Sequence, residues 1–123
     1  MDITLSSENE LILKTVKRFM EEEIYPHEEE VDQLGEVPIE LGKQIEARAI
    51  EAGLYSANLP EFVGGGGQDY TAMAIMEREY GKTSHALHSW IGRPTELLMA
   101  CQGDQVERYL LPCVRGEKRE LFA

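Results

Sequence analysis

The sequence predicts an all-α domain, an orthogonal or up-down bundle of about five to six helices. Apolar residues recur at helical spacing along most of the 123-residue chain, helix starts and stops follow one another closely, and almost no stretch reads as strand.

The first helix signal opens at Ser6 or Ser7. Ser7 with Glu10 fits a capping box, in which each side chain satisfies the other residue's unpaired amide. Ile12, Val16, Phe19 or Met20, and Ile24 follow at helical spacing. Tyr25-Pro26 interrupts the run, because proline lacks an amide donor and disfavours helix at the residue before it; Pro26 also suits the first turn of a new helix. That second helix is expected from His27 to Leu34, strongly acidic and closed by Gly35. Pro38 starts the next, with Leu41, Ile45, Ala49 and Ala52 on one face and Gly53 suited to the left-handed position past its end. Leu54 to Leu59 reads as extended or irregular. Asp69 is the N-cap candidate for a helix that carries Ala72, Ile75, Met76 and Tyr80 and stops at Gly81. Ser84 is expected to cap a longer helix holding Leu87, Trp90, Ile91, Leu97, Leu98 and Cys101, kinked or broken at Gly92-Arg93-Pro94. Gly103-Asp104 ends it and caps a short helix from Gln105 to Leu111, which Pro112 follows. Arg115-Gly116 is a turn, and Glu120 to Ala123 reads as the opening of a strand, so the helical domain is placed at residues 1–119.

With 12 Lys+Arg against 23 Asp+Glu, the formal net charge is −11. This balance excludes nucleic acid as a partner, since binding it needs Lys and Arg to neutralise phosphates. It also places the phosphates of any polyanionic cofactor elsewhere. No apolar run approaches the roughly 18 residues of a membrane span. Met1 to Glu8 has neither the basic nor the apolar region of a signal peptide, so a cytoplasmic location is expected. Cys101 and Cys113 lack C-x-x-C spacing and are expected to behave as small buried hydrophobes.

The stretch from Asn58 to Tyr70 holds four consecutive glycines, Gly64 to Gly67. A phosphate-binding loop needs Lys followed by Ser or Thr after its last glycine, and a dinucleotide fingerprint needs a strand before it. Gln68-Asp69 follows instead, and Asp69 would repel an anion, so a structural turn is the expected role. His85 and His88 are three apart and share a helix face. Neither a His-Glu-x-x-His pattern nor paired Glu-x-x-His motifs accompany them, and no metal site is expected. Glu77 and Glu79 sit on an otherwise apolar helix, where one is expected to be half buried and salt-bridged. No residue reads as a nucleophile or general base.

The order of short pieces along the chain resembles the N-terminal helical domain of the acyl-CoA dehydrogenase family. Those pieces are Leu5-Ser-Ser-Glu-Asn, Ile24-Tyr-Pro26, Val37-Pro38, Ala52-Gly-Leu54, Leu59-Pro-Glu-Phe-Val-Gly-Gly-Gly-Gly67, Met76-Glu-Arg-Glu-Tyr80, Gly103-Asp-Gln-Val-Glu-Arg-Tyr-Leu-Leu-Pro112 and Gly116-Glu-Lys. Their collinear succession from Leu5 to Ala123 carries the resemblance. In the family a Phe-Ala pair like Phe122-Ala123 runs on into a β-domain that cradles FAD.

The resemblance implies part of an enzyme that oxidises an acyl-CoA to the 2,3-enoyl-CoA, passing electrons to an electron-accepting flavoprotein. In such enzymes a carboxylate removes the α-proton while the β-hydrogen leaves as hydride to the flavin. The family's base lies in a later domain, so no residue here is catalytic and this chain alone is expected to be inactive and to bind FAD poorly. By matching position, Trp90 and Pro94 line the end of the acyl tunnel. Trp90 would restrict it to short or compact acyl groups through its bulk, the alternative being an ordinary core or interface tryptophan. Phe122 matches an aromatic close to the flavin. Arg93 pairs either with a polar substrate group or with a nearby Glu. Apolar faces left without their neighbouring domains imply a homo-oligomer or self-association. Two other functions stay open: a non-enzymatic helical interaction module, and a flavin oxidase or monooxygenase on the same scaffold.

Overall fold

Ser6 rather than Ser7 opens the first helix in the computed structural model, which describes residues 4–121. The Ser6 Oγ accepts the Asn9 amide at 3.1 Å, satisfying one donor that every helix start leaves unpaired. Ser6 keeps the extended backbone a cap requires, at ψ 159°, whereas Ser7 is already helical, so the expected Ser7–Glu10 box shifts by one residue.

α1 (Ser7–Phe19) runs without a gap into a π turn (Met20–Ile24), a 3-10 turn (Tyr25–His27) and α2 (Glu28–Leu34). Pro26 is the cause. It has no amide for the carbonyl four residues back, its ring crowds that carbonyl, and a wider turn relieves the crowding. The chain repeats the device before its second helix-borne proline. A π turn (Val106–Leu110) leads directly into α6 (Leu111–Val114), which contains Pro112. The helix expected to stop before Pro112 therefore carries on through it. Pro112 cannot donate to the carbonyl of Arg108, and that carbonyl accepts from Lys118 Nζ at 3.1 Å instead.

Gly35 closes α2 at φ 73°, and α3 (Ile39–Glu51) buries Ile45 and Ala49. Ala52, expected on the same face, lies exposed just past the helix end. Asp69 Oδ1 caps α4 (Tyr70–Tyr80) by accepting the Ala72 amide at 2.8 Å. α4 packs on α1, and Met73, Met76 and Tyr80 join Val16, Phe19 and Met20 in the main core. Both acidic residues of α4 are paired, where one was expected to be half buried and salt-bridged. Glu79, 2% exposed, meets Lys82 Nζ at 2.7 Å, and the partly buried Glu77 meets Arg93 at 3.3 Å.

Ser84 caps only the short α5 (His85–His88), which tightens into a 3-10 turn (Ser89–Ile91) packed on α3 and then breaks. A separate 3-10 helix (Glu96–Ala100) starts at Thr95, whose Oγ1 accepts the Leu97 amide. The long helix expected from Ser84 to Cys101 is thus two short ones. Gly92 explains the separation: it sits at φ 88°, and a Cβ there would lie 1.9 Å from Tyr55 Cε2. Among the described residues no strand forms, as an all-α domain requires. The strand start expected at Glu120 to Ala123 rests partly on Phe122 and Ala123, which lie outside the described residues.

The irregular segment after α3 turns at Ser56, a buried residue at φ 56°. Its amide donates to the Gly92 carbonyl at 3.1 Å and its Oγ to the Val114 carbonyl at 2.8 Å. Its own carbonyl accepts the amides of Leu59 and Gly66. The glycine loop folds back on this knot, with Gly65, Gly67 and Gln68 donating to Pro60, Leu59 and Ala57. A Cβ on Gly65 would sit 2.2 Å from the Leu59 carbonyl oxygen, so close backbone approach is what the glycine permits. Beneath it lies a smaller core of Leu59, Leu110 and Val114.

Gly65→Ala and Gly92→Ala are each expected to destabilise the fold by about 1–3 kcal/mol, and Ser56→Ala by about 1–3 kcal/mol through the lost buried hydrogen bond. Gly81→Ala, at an ordinary helical φ of −66°, is expected to stay within about 0.5 kcal/mol. Urea unfolding of the four variants checks the contrast.

Candidate functional site

Asn58 follows the Ser56 turn and faces the break between the two short helices. Its Nδ2 donates to the Pro94 carbonyl at 2.7 Å. Its Oδ1 is buried and has no hydrogen-bond partner. Two adjoining clefts meet here. One, of about 380 Å³, lies among Asn58, Tyr70, Arg93, Pro94 and Thr95. The other, of about 490 Å³, has Leu59, Pro60, Met73 and Met99 as apolar walls and shares Asn58, Tyr70 and Glu96 with the first. α4 supplies Tyr70 and Met73, and the glycine loop sets their approach by delivering Asp69 as the cap. An apolar trough with a few polar groups at one end suits an apolar chain that carries a polar head.

Pro94, a sequence-predicted site residue, is buried and lines the smaller cleft. Trp90 is placed differently. Its indole lies against Gly42 of α3, where a Cβ would fall 2.2 Å from Trp90 Cε2. Arg119 covers the ring from 4.1 Å. Trp90 lines neither cleft, so the break separates the two predicted residues rather than bringing them together. Phe122, the predicted cofactor contact, lies outside the described residues. Arg93 takes the ion-pair alternative with Glu77. Asn58, Tyr70 and Arg119 had no role in the sequence reading. The only signal for Asn58 was its place at the head of the glycine stretch, and Arg119 reaches Trp90 from 29 positions away with nothing in the sequence to pair them.

Tyr55, Tyr80 and Cys113 are all held in their neutral forms. Burial, aided by Glu46, pushes the Tyr55 phenol up to about 12. Burial and then Glu77 raise Tyr80, whose hydroxyl has no hydrogen-bond partner. Burial raises the Cys113 thiol, which keeps it a neutral hydrophobe. His85 Nδ1 and His88 Nε2 lie 3.1 Å apart, so at least one ring must be neutral. Burial, then His85, lowers His88, while Glu77 opposes them. Among the described residues no group of three or more His, Cys, Asp or Glu is placed to hold a metal ion, and no helix is long and apolar enough to cross a membrane.

The glycine loop does not fit a dinucleotide. A hollow of about 610 Å³ opens against Gly64 to Gly66, with Arg115 in its lining. Yet the amides of Gly64, Gly65 and Gly66 are bonded to the Glu61, Pro60 and Ser56 carbonyls. No N–H is left to receive a phosphate.

Residues 6–117, nearly the whole of this fold, match the family described as acyl-CoA dehydrogenase, N-terminal domain. The chain belongs to the acyl-CoA dehydrogenase family. Similar proteins include a 3-(aryl)acrylate reductase of Clostridium sporogenes, 32% identical over 123 residues, covering 96% of this chain and 32% of that protein. The caffeyl-CoA reductase-Etf complex subunit CarC of Acetobacterium woodii is 27% identical over 124 residues, covering 96% of this chain and 32% of its own length. The short-chain specific acyl-CoA dehydrogenase of Clostridium acetobutylicum is 27% identical over 123 residues, covering 96% and 31%. The chain spans about a third of the length of these curated relatives. No solved structure matches it with significance. Within this family domain, the glycine junction and the Pro94 break are the two features that shape the cleft.

His88 supplies a pH test. Its folded-state pKa lies below the ordinary value of 6.5, so the folded protein takes up the proton less readily than the unfolded chain. The associated stability is fully present above about pH 6.5 and is lost as pH falls through the folded value. The drop in urea midpoint between about pH 7.5 and about pH 6 is expected to be smaller in His88→Gln than in the parent. An equal drop in both would show that His88 is not responsible.

Proposed function

We propose that this chain is the N-terminal helical part of a FAD-dependent acyl-CoA oxidoreductase that interconverts an acyl-CoA and its 2,3-enoyl-CoA. The family match over residues 6–117 carries the reading. Residues 1–119 form the helical domain, and 120–123 begin a β-domain strand leading to the flavin. The base and the flavin cradle belong to segments outside this chain, which on its own is inactive, binds FAD weakly and self-associates through exposed apolar residues such as Phe62, Leu97 and Leu121. The whole protein is a cytoplasmic homo-oligomer. Phe122 contacts the flavin.

The domain's contribution is the far wall of the acyl pocket. Pro94 holds the turn that bounds the cleft, with Tyr70, Met73 and Met99 as its sides. Trp90 acts as a stop. It lines neither cleft and sits on the other side of the Gly92–Pro94 break, with Gly42 against its ring and Arg119 over it. The acyl group is accordingly short or compact. The names of three similar proteins favour this, an aryl-acrylate reductase, a caffeyl-CoA reductase subunit and a short-chain specific dehydrogenase, whereas a relative 31% identical is long-chain specific. The reductase names favour a second reading in which the physiological direction is reduction of the 2,3-double bond. The Etf complex in one of those names supports an electron-transferring flavoprotein as partner in either direction.

The test is to purify the full-length protein, record its flavin spectrum, and assay both directions with compact, aryl and long acyl-CoA thioesters. Activity on compact or aryl groups is expected. Trp90→Ala is expected to raise kcat/KM for a longer acyl group about ten-fold relative to the preferred one. An unchanged ratio would remove Trp90 from the pocket, and a colourless protein without flavin would favour a non-enzymatic module.

A further inference from the structure

We propose that Arg119 and Glu120 are positioning residues that set the shape of the acyl-binding wall by clamping Trp90 and Thr95, the two ends of the Gly92–Pro94 break. The proposal rests on the reading of Trp90 and Pro94 as parts of that wall.

After α6 the chain turns at Gly116, and the amides of Glu117 and Lys118 both donate to the Pro112 carbonyl, at 2.9 and 3.2 Å. Lys118 Nζ takes the Arg108 carbonyl that Pro112 leaves without its helical donor. These three bonds aim the next two residues across the break. Arg119 Nη2 pairs with Glu46 of α3, and its guanidinium carbon lies 4.1 Å from the centre of the Trp90 ring. The indole is held between α3 and a cation that α3 itself anchors. Glu120 Oε1 accepts the Thr95 amide at 2.6 Å, immediately before the 3-10 helix that Thr95 caps.

The middle of the break is tied elsewhere, Gly92 to Ser56 and Pro94 to Asn58. Its two ends are thus fixed by two consecutive residues. The charge types fit their tasks. A planar guanidinium stacks on an indole and bridges a carboxylate at once, which the compact ammonium of lysine does less well. A carboxylate accepting a backbone amide makes a charge-assisted bond stronger than a neutral one.

Trp90 is the only tryptophan in the sequence, so its fluorescence reports the clamp directly. In the 123-residue chain, Arg119→Ala is expected to red-shift the emission and raise the acrylamide quenching constant about two-fold, with Arg119→Lys falling between. Glu120→Ala is expected to speed hydrogen exchange of the Thr95 amide about ten-fold, while Glu120→Gln, which keeps an acceptor oxygen, stays near the parent. In the full-length enzyme, Arg119→Ala is expected to shift the KM ratio between bulky and compact acyl-CoA thioesters about two- to five-fold with kcat on the preferred substrate retained. Unchanged Trp90 quenching in Arg119→Ala, or unchanged Thr95 exchange in Glu120→Ala, would overturn the clamp. A uniform loss of kcat on every substrate would overturn its role in specificity. If the parent enzyme acts on no acyl-CoA, the functional reading fails, and the quenching and exchange measurements still decide whether the clamp exists.

Discussion

The backbone of Ser56 holds together the parts of this domain that lack regular structure. A buried residue in the left-handed region gives up backbone comfort, and this one is kept there by bonds from its amide, carbonyl and hydroxyl. Each bond reaches a different piece of chain: the break at Gly92, the end of α6, and the glycine loop. Each hydrogen bond stabilises modestly in net terms, but leaving a buried partner unmet costs about 1–3 kcal/mol, so the set is close to all-or-none. The glycines follow from it. Gly65 and Gly66 must press against the Leu59 and Ala57 backbone to reach their acceptors, and a side chain would block the approach.

This arrangement separates shape from reactivity. The two tyrosines and the thiol that the fold buries are driven toward their neutral forms, the acidic residues of α4 are spoken for by Lys82 and Arg93, and the glycine amides are consumed internally. The trough beside Asn58 and Pro94 is apolar with a polar corner. The chain, a member of the acyl-CoA dehydrogenase family, spans about a third of the length of its relatives.

The fold was largely legible in the sequence because its signals are local. Gly35, Gly53, Asp69 and Ser84 act within one helical turn of themselves, and each sits where its chemistry says it should. The misplacements arose where two local rules competed. Ser6 and Ser7 are equally good caps by composition, and only the backbone torsions select between them. Pro112 reads as a helix stop, yet a π turn before it and Lys118 after it remove both of its penalties. The candidate site was less legible. Pro94 was marked by its neighbours, but the Tyr55 ring that packs where a Gly92 side chain would lie and the Arg119 that covers Trp90 are distant in sequence and carry no periodic signature.

The paired π turns have a bearing on how such a chain can change length. A π turn carries one residue more than the α turn it replaces, and each here sits just ahead of a proline that would otherwise collide with its own helix. Excising a single residue between Met20 and Ile24 would restore ordinary winding with Val16 and Phe19 still facing α4, but it would bring the Pro26 ring back against the carbonyl four residues before it. Insertions and deletions in descendants of this sequence should therefore be confined to the exposed connections, and those two helical joints should drift in composition while holding their residue count.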